Sequence, residues 1–232
     1  MTPRYDRAAP ALRLSVADFT ALHDWSHGSA VDVESLEGLR DAGVMRGDVI
    51  DPPLAPVAQA LAQPVIRQHL VVRRPAQSAL TVDVWITGDV GVLLLPLPDD
   101  AVDVIAVPPP AVPGFVARLA RLGPRQQVLP APVAVATRAL SDRASADSGT
   151  RARAMPVGVD VLDDALTGDD WAAWTLEIGW TDHRGRQVGE ALHVLDTTEG
   201  LFVLEPEADD TLVVPVEARE VWRLLTGTLS SP

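Results

Sequence analysis

The 232 residues include no cysteine, which excludes disulfides, thiolate nucleophiles and the usual cysteine-ligated structural zinc. Lysine is missing too: all 19 basic residues are arginine, set against 32 Asp and Glu, for a net charge of −13. The arginines are scattered, so no stretch supplies the clustered positive surface that a phosphate backbone needs, and nucleic acid is not an expected partner. Long apolar runs are also missing. Val90 to Pro98 falls far short of the ~20 residues of a membrane-spanning helix, so a soluble protein without a membrane partner is expected. The opening MTPRYDRAAPALRLS carries Arg4 and Arg7 but no uninterrupted apolar segment of the secretory kind, so export by the general route is not expected and a cytoplasmic location is. The arginine-only usage with abundant Ala, Val and Pro is what a GC-rich genome writes.

What remains is ordinary for a globular chain, 47% hydrophobic and 22% charged, and long enough to bury a full core in one large domain or two intimate lobes. Ser15 and Asp18 stand in capping-box spacing ahead of Val16, Phe19 and Leu22, predicting a helix from Ser15 to His27 stopped by Gly28. A second helix is expected over Val33 to Ala42, with Leu36 and Leu39 inward and Gly43 at its end. A third is expected over Pro53 to Ala62, with Leu54, Val57, Ala58 and Leu61 on one face and its prolines in the first turn.

After Pro64 the apolar period changes to two. In IRQHLVVRR, Gln68, Leu70 and Val72 oppose His69, Val71 and Arg73; in LTVDVWIT, Val82, Val84 and Ile86 oppose Asp83, Trp85 and Thr87. Strands Val92 to Leu95 and Val102 to Val107 come next, then a helix from Val112 to Leu122. Residues 130–156 are small, polar and weakly periodic, and are expected to form a linker or surface loop. Beyond them come a short helix at Asp160 to Leu166, a strand WTLEIGW, strands Ala191 to Leu195, Leu201 to Leu204 and Thr211 to Val214, and a last helix Val216 to Thr226. The expected organisation is an N-terminal lobe 1–129, the linker 130–156 and a C-terminal lobe 157–232, within one two-lobed unit.

The phrase VWITGDVGVLLL, residues 84–95, has an echo 109 residues later in HVLDTTEGLFVL, residues 193–204. Aligning them pairs Gly91 with Gly200 and Leu95 with Leu204; further on, Val107-Pro108 matches Val214-Pro215 and Leu119 matches Leu225. A duplicated β-meander plus helix is therefore expected, giving a mixed α+β fold with a pseudo-twofold central antiparallel sheet flanked by helices.

Few residues are grouped for chemistry. His23 and His27 stand four apart on the first predicted helix, a spacing that lets two imidazoles share a metal, with Asp24 and Asp32 within reach. The Glu of HExxH is missing, and His27 is equally well explained by the helix C-terminal dipole. The acidic pairs Asp99-Asp100, Asp163-Asp164, Asp169-Asp170 and Asp209-Asp210 lie mostly at turns and helix ends, where Asp bonds to local backbone, and DDALTGDDW lacks the spacing of a calcium loop. No GxSxG, Walker loop or strand-following GxGxxG occurs. No catalytic residue, cofactor or metal is expected, and a non-enzyme is favoured over a hydrolase built on His23 and His27. The aromatic residues point to protein contact instead: Trp85, with Asp83 and Thr87 on its face, and Trp171 and Trp174 are the candidate partner-binding residues, whereas Trp180 and Trp222 are expected to be covered.

The stretch LEGLRDAGVMRGDVIDPPLAPVAQALAQPVIRQHLVV, Leu36 to Val72, resembles the EspG family, cytosolic chaperones of actinobacterial type VII (ESX) secretion: a Leu-rich helix ending in aGv, a G-v-i-D-p-x-L turn, a helix, and La-x-P leading into the sheet. The resemblance continues through GDVGVLLLPLPDDAVDVIAVPPPAVPGFVARLARLGP and LHVLDTTEGLFVLEPEADDTLVVPVEAREVWRLL. It implies a mixed α/β fold with pseudo-twofold symmetry and a role in binding PE-PPE or WXG100-like helical substrates to keep them soluble before export. This chain is short for that family and sparse over 130–156, and the family's binding residues are not motif-encoded. The alternative from another class is a self-associating structural protein, a homodimer.

Overall fold

The computed structural model describes residues 4–6, 11–227 and 229. The first half runs β1 (Arg4–Asp6), β2 (Ala11–Ser15), α1 (Val16–Ser26), α2 (Val33–Asp41), a small hairpin of β3 (Met45–Arg46) and β4 (Val49–Ile50), and α3 (Ala55–Ala62). A meander of β5 (Ile66–Arg73), β6 (Leu80–Ile86), β7 (Gly91–Leu97) and β8 (Ala101–Val107) comes next, closed by α4 (Val112–Ala120). The second half runs β9 (Val133–Ala136), α5 (Thr137–Arg143), α6 (Ser148–Arg153), α7 (Asp160–Thr167), a meander of β10 (Trp171–Thr181), β11 (Gln187–Thr197), β12 (Gly200–Pro206) and β13 (Asp210–Val216), and α8 (Ala218–Gly227). Apart from the β3–β4 hairpin, all strands join one antiparallel sheet in the order β1-β2-β8-β7-β6-β5-β10-β11-β12-β13-β9.

Local chemistry places the helix ends where the sequence puts them. Ser15 caps α1, its Oγ accepting the Asp18 N–H at 3.0 Å and donating to the Asp18 carboxylate at 2.6 Å, which satisfies one of the donors that a helix start leaves free. Gly28 and Gly43 come after α1 and α2 with φ of +72° each, a conformation that glycine adopts without a Cβ penalty. Pro52–Leu54 form a 3-10 turn before α3, because the prolines of DPPLAP cannot donate to an α-helical first turn.

The expected mixed α+β, pseudo-twofold architecture is present. Each half contributes outer strands (β1 and β2 in the first, β9 in the second), its helices, a four-stranded meander and a closing helix, and the halves join where β5 pairs with β10. The register of the duplication differs from that of the sequence echo. Val84 and Leu93 of the first half point into the same core as Val194 and Val203 of the second, and Val92 and Phe202 both point to the opposite face. The equivalent positions on these strands are thus 110 residues apart, not 109. A one-residue slip turns every side chain to the other face, so Gly91 and Gly200 are not counterparts. A Cβ on Gly91 would lie 2.5 Å from Val112 Cγ2, whereas Gly200, at φ +154°, abuts the Gln127 side chain and Phe202.

The sheet is covered unevenly. On one face α4 and α8 pack over the central strands, enclosing Leu70, Val84, Leu93, Trp174, Leu176, Val194, Val221 and Leu225. On the other face α1–α3 cover the β2-β8-β7-β6 end, burying Leu12, Leu14, Phe19, Leu61, Val92 and Val104. On that same face α5 and α7 cover the far end over Leu195, Phe202 and Val213. The middle of that face, over β5 and β10, has no helix on it among the described residues.

Residues 130–156, expected as a linker, fold as β9, α5 and α6. β9 joins the sheet through main-chain bonds to β13, which need no side-chain periodicity. An arginine then pins the turn between α5 and α6. Arg151 donates to the Ser145 and Ala146 carbonyls at 2.9 and 3.0 Å and lies over the Trp171 ring at 5.9 Å. Leu140 is buried in the second-half core. Strands β10 and β11 also run to 11 residues each, longer than their apolar stretches predicted. β1, β2, β3 and β4 lay outside the sequence expectations.

Candidate functional site

The bare middle of the sheet can be mapped row by row from the strand pairing. One row across β6, β5, β10 and β11 reads Trp85, Arg67, Gly179, Gly189; the next reads Asp83, His69, Glu177, Ala191; the third reads Thr81, Val71, Thr175, His193. All twelve point away from the α4–α8 core, because side chains alternate along each strand. The first two rows, with His23 of α1 as a side wall, line a hollow of about 690 Å³. A second hollow of about 560 Å³ continues across Arg73, Ala173, Thr175 and His193 to α5 and the loop after it. Together they form an open trough between the two helical banks.

Within the trough His69 Nδ1 lies 2.6 Å from Asp83 Oδ1. The pseudo-twofold places Thr175 and His193 at the equivalent positions, and these are hydrogen-bonded in turn at 3.1 Å. Each half thus ties its two floor strands with a cross-strand polar pair. The side chains of Glu177 and Arg67 have no hydrogen-bond or ion-pair partner among the described residues. A polar floor that is open to water and carries unpaired charges of both signs suits reversible contact with another macromolecule better than it suits covalent chemistry.

The structure separates the residues expected at a partner surface. Asp83 does line the trough. Trp85 lies in its wall but is 9% exposed, because Phe19 and His23 of α1 pack against its ring at centroid distances of 6.0 and 6.3 Å. Thr87 sits beyond the strand, where its hydroxyl receives the Asp89 and Val90 N–H groups of the turn. Trp171 and Trp174 are 3% and 1% exposed. Their odd spacing sends them to opposite faces, Trp171 into the α5–α7 core and Trp174 beneath α4 and α8. The expectation of exposed tryptophan anchors at 85, 171 and 174 is therefore corrected, and so is that of a covered Trp222, which on α8 is 42% exposed. Sequence reading had no marker for Arg67, His69, Glu177, Gly179 or Gly189. The period-two pattern showed which residues share a face, but not which face a helix covers.

The His23 and His27 rings lie 4.3 Å apart between centroids, tilted by 38°, and His27 Nδ1 lies 2.9 Å from the His23 carbonyl. Among the described residues no group of three or more His, Cys, Asp or Glu is placed to hold a metal. The acidic pairs serve local structure: Asp99 and Asp100 take φ of +64° and +53° in the turn after β7, and Asp163 accepts the Val157 and Gly158 N–H groups.

A third hollow, about 370 Å³, brings Arg74, Arg121 and Arg125 beside Asp196. Arg125 forks onto the Asp196 carboxylate at 2.6 and 3.1 Å. Burial raises the Asp196 carboxyl above its usual range, against the opposing pull of Arg125. Arg74 is lowered by burial and by repulsion from Arg121. Its guanidinium donates to the Leu119 carbonyl at 3.0 Å, so this cluster ties the α4 end to the second meander.

No protein-family model matches the chain, and no curated protein sequence does. Among solved structures, a chain of the Mycobacterium tuberculosis type VII secretion system chaperone EspG5 in complex with the PE25–PPE41 dimer superposes with a TM-score of 0.62. The match covers 95% of both chains at 12% sequence identity. At that identity the likeness establishes a shared fold, the fold that the sequence resemblance implied. No helix among the described residues is long and apolar enough to cross a membrane.

Proposed function

We propose that the protein is an EspG-like, non-enzymatic chaperone of an actinobacterial type VII secretion system. In this reading it works in the cytoplasm, holding a PE-PPE or WXG100-like helical substrate against its central trough and keeping it soluble for export. The observation that supports this most is the bare strip over β5 and β10 on a face whose two ends are both covered by helices. A sheet face left open along its middle leaves room for another protein to lodge, and a net charge of −13 favours a partner with basic groups at its rim.

Co-expression with PE-PPE pairs and WXG100-type hairpins encoded nearby, followed by size-exclusion chromatography with light scattering, tests this reading. A stoichiometric complex is expected for the wild type. Val71→Arg, which sets a long charged side chain in the trough floor, should abolish it while leaving the melting curve of the free protein in place. A wild-type chain that retains none of these partners and runs as a stable homodimer would overturn the proposal in favour of a self-associating protein.

A further inference from the structure

We infer that the α4–α8 helix pair, on the sheet face opposite the trough, is a second docking surface. It takes an acidic segment of another protein, with Trp222 as its apolar anchor and Arg118, Arg121 and Arg223 as its cations. The inference does not depend on what the trough holds. The two helices turn Val112, Val116, Val221 and Leu225 into the core, and that burial accounts for their inner faces only. Outside it, Trp222 is 42% exposed and Leu224 47%. Gly114 of α4 leaves room for the indole, since a Cβ there would lie 4.0 Å from the tip of its ring. The ring is thus backed by a neighbouring helix and still open to solvent. A tryptophan so held offers a large apolar area at little conformational cost, and tryptophan and arginine are the residues that most often carry the energy of a protein interface.

The charges around Trp222 indicate what the partner carries. In a chain with 32 acidic residues, residues 104–141 hold Arg118, Arg121, Arg125 and Arg138 but no Asp or Glu. Arg118 lies over the Phe115 ring at 5.0 Å, a cation–π contact that keeps its guanidinium at the surface. Arg121 stands near enough to Arg74 to repel it. The side chains of Arg118, Arg121 and Arg223 have no carboxylate partner among the described residues. The two carboxylates at the start of α8 are engaged locally, Glu217 with Arg219 at 2.8 Å and Glu220 with the Glu217 N–H at 2.8 Å. The helix pair is therefore a basic surface on a protein of net charge −13, and complementarity selects a partner with Asp and Glu around an apolar centre. A second copy docked across a twofold axis would set arginine against arginine. An anionic bilayer would repel the acidic remainder of the molecule.

The probe is a fluorescein-labelled amphipathic peptide with a leucine stripe flanked by glutamates, compared by fluorescence anisotropy with the same peptide carrying glutamine in their place. The full chain should bind the acidic peptide at least about tenfold more tightly than the neutral one, and the difference should shrink as added salt screens the charges. Trp222→Ala and Arg223→Glu should each weaken binding by at least about tenfold, whereas Val71→Arg in the trough should leave it unchanged. Both surface variants should melt close to the wild type; if Trp222→Ala does not fold, Arg223→Glu and Arg118→Glu decide the matter. Equal affinity for the two peptides, undiminished binding by these variants, or loss of binding in Val71→Arg overturns the inference. So does a wild type that binds neither peptide. Binding to phosphatidylglycerol vesicles without binding to the acidic peptide overturns it in favour of a membrane contact. The PE-PPE co-expression experiment tests the trough separately, so either reading can fail while the other stands.

Discussion

Replacing Trp85 with alanine tests the placement of α1 over the sheet. The side chain is 9% exposed and packs against Phe19 and His23 in the core that holds the first three helices to β6 and β7. Removing a large aromatic side chain from such a site costs about 3–5 kcal/mol, cavity included. The Phe19 ring, at 6.0 Å and 46°, contributes ~0.5–1.5 kcal/mol of that as a pairwise term. In a chain of this length each kcal/mol lowers the melting temperature by about 2–4 °C, so a loss on the order of 10 °C is expected. Differential scanning calorimetry or far-ultraviolet circular dichroism reads it directly. Trp222→Ala is the internal comparison: its side chain is 42% exposed on α8, and a much smaller shift is expected. Equal shifts for the two variants, or a Trp85→Ala protein melting with the wild type, would show that α1 does not cover this strand.

Two further variants probe particular contacts. Arg125→Ala removes the partner of a buried carboxylate and should cost about 2 kcal/mol at pH 7, less than the ~3–5 of a fully buried pair because the arginine keeps contact with solvent. Burial raises the Asp196 carboxyl, so its charged form penalises the folded state above that pKa and the penalty fades as pH falls through it; the Arg125→Ala deficit should shrink on acidification, and a pH-independent deficit would refute this account. Gly91→Ala drives a Cβ to 2.5 Å from Val112 Cγ2 and should destabilise by about 1–3 kcal/mol as overpacking does. Adding Val112→Ala should relieve part of that loss, and strict additivity in chemical denaturation would exclude the contact.

How legible each part was in the sequence depends on the range of the forces that set it. The Ser15 cap, the glycine stops after α1 and α2, and the alternation of β5 and β6 depend on neighbours within a few residues, and they stand where the sequence puts them. The strand β9 and helices α5 and α6 were hidden because an edge strand is recruited by main-chain bonds and Arg151 acts on carbonyls and a ring that the chain brings to it. The tryptophans were misjudged for the same reason. Amphipathic alternation says that Trp85 opposes Val84, yet both faces of this sheet are partly covered, so lying opposite one core does not mean exposure. The trough floor was illegible because residues such as Gly179 and Gly189 are ten apart in sequence and meet only through the β10–β11 pairing.

By itself, the sequence determined most of the element types outside residues 130–156 and the early strands, the mixed α+β class and the existence of a duplication, since these arise from local periodicity and capping and from a phrase written twice. Only the tertiary structure decided the true 110-residue register of that duplication, the burial of Trp85, Trp171 and Trp174, and the strip of sheet that no helix among the described residues covers. Strand register and helix coverage are settled by contacts between residues far apart in the chain. A pattern with a period of two repeats identically after a slip of two and turns to the other face after a slip of one, so it cannot report either.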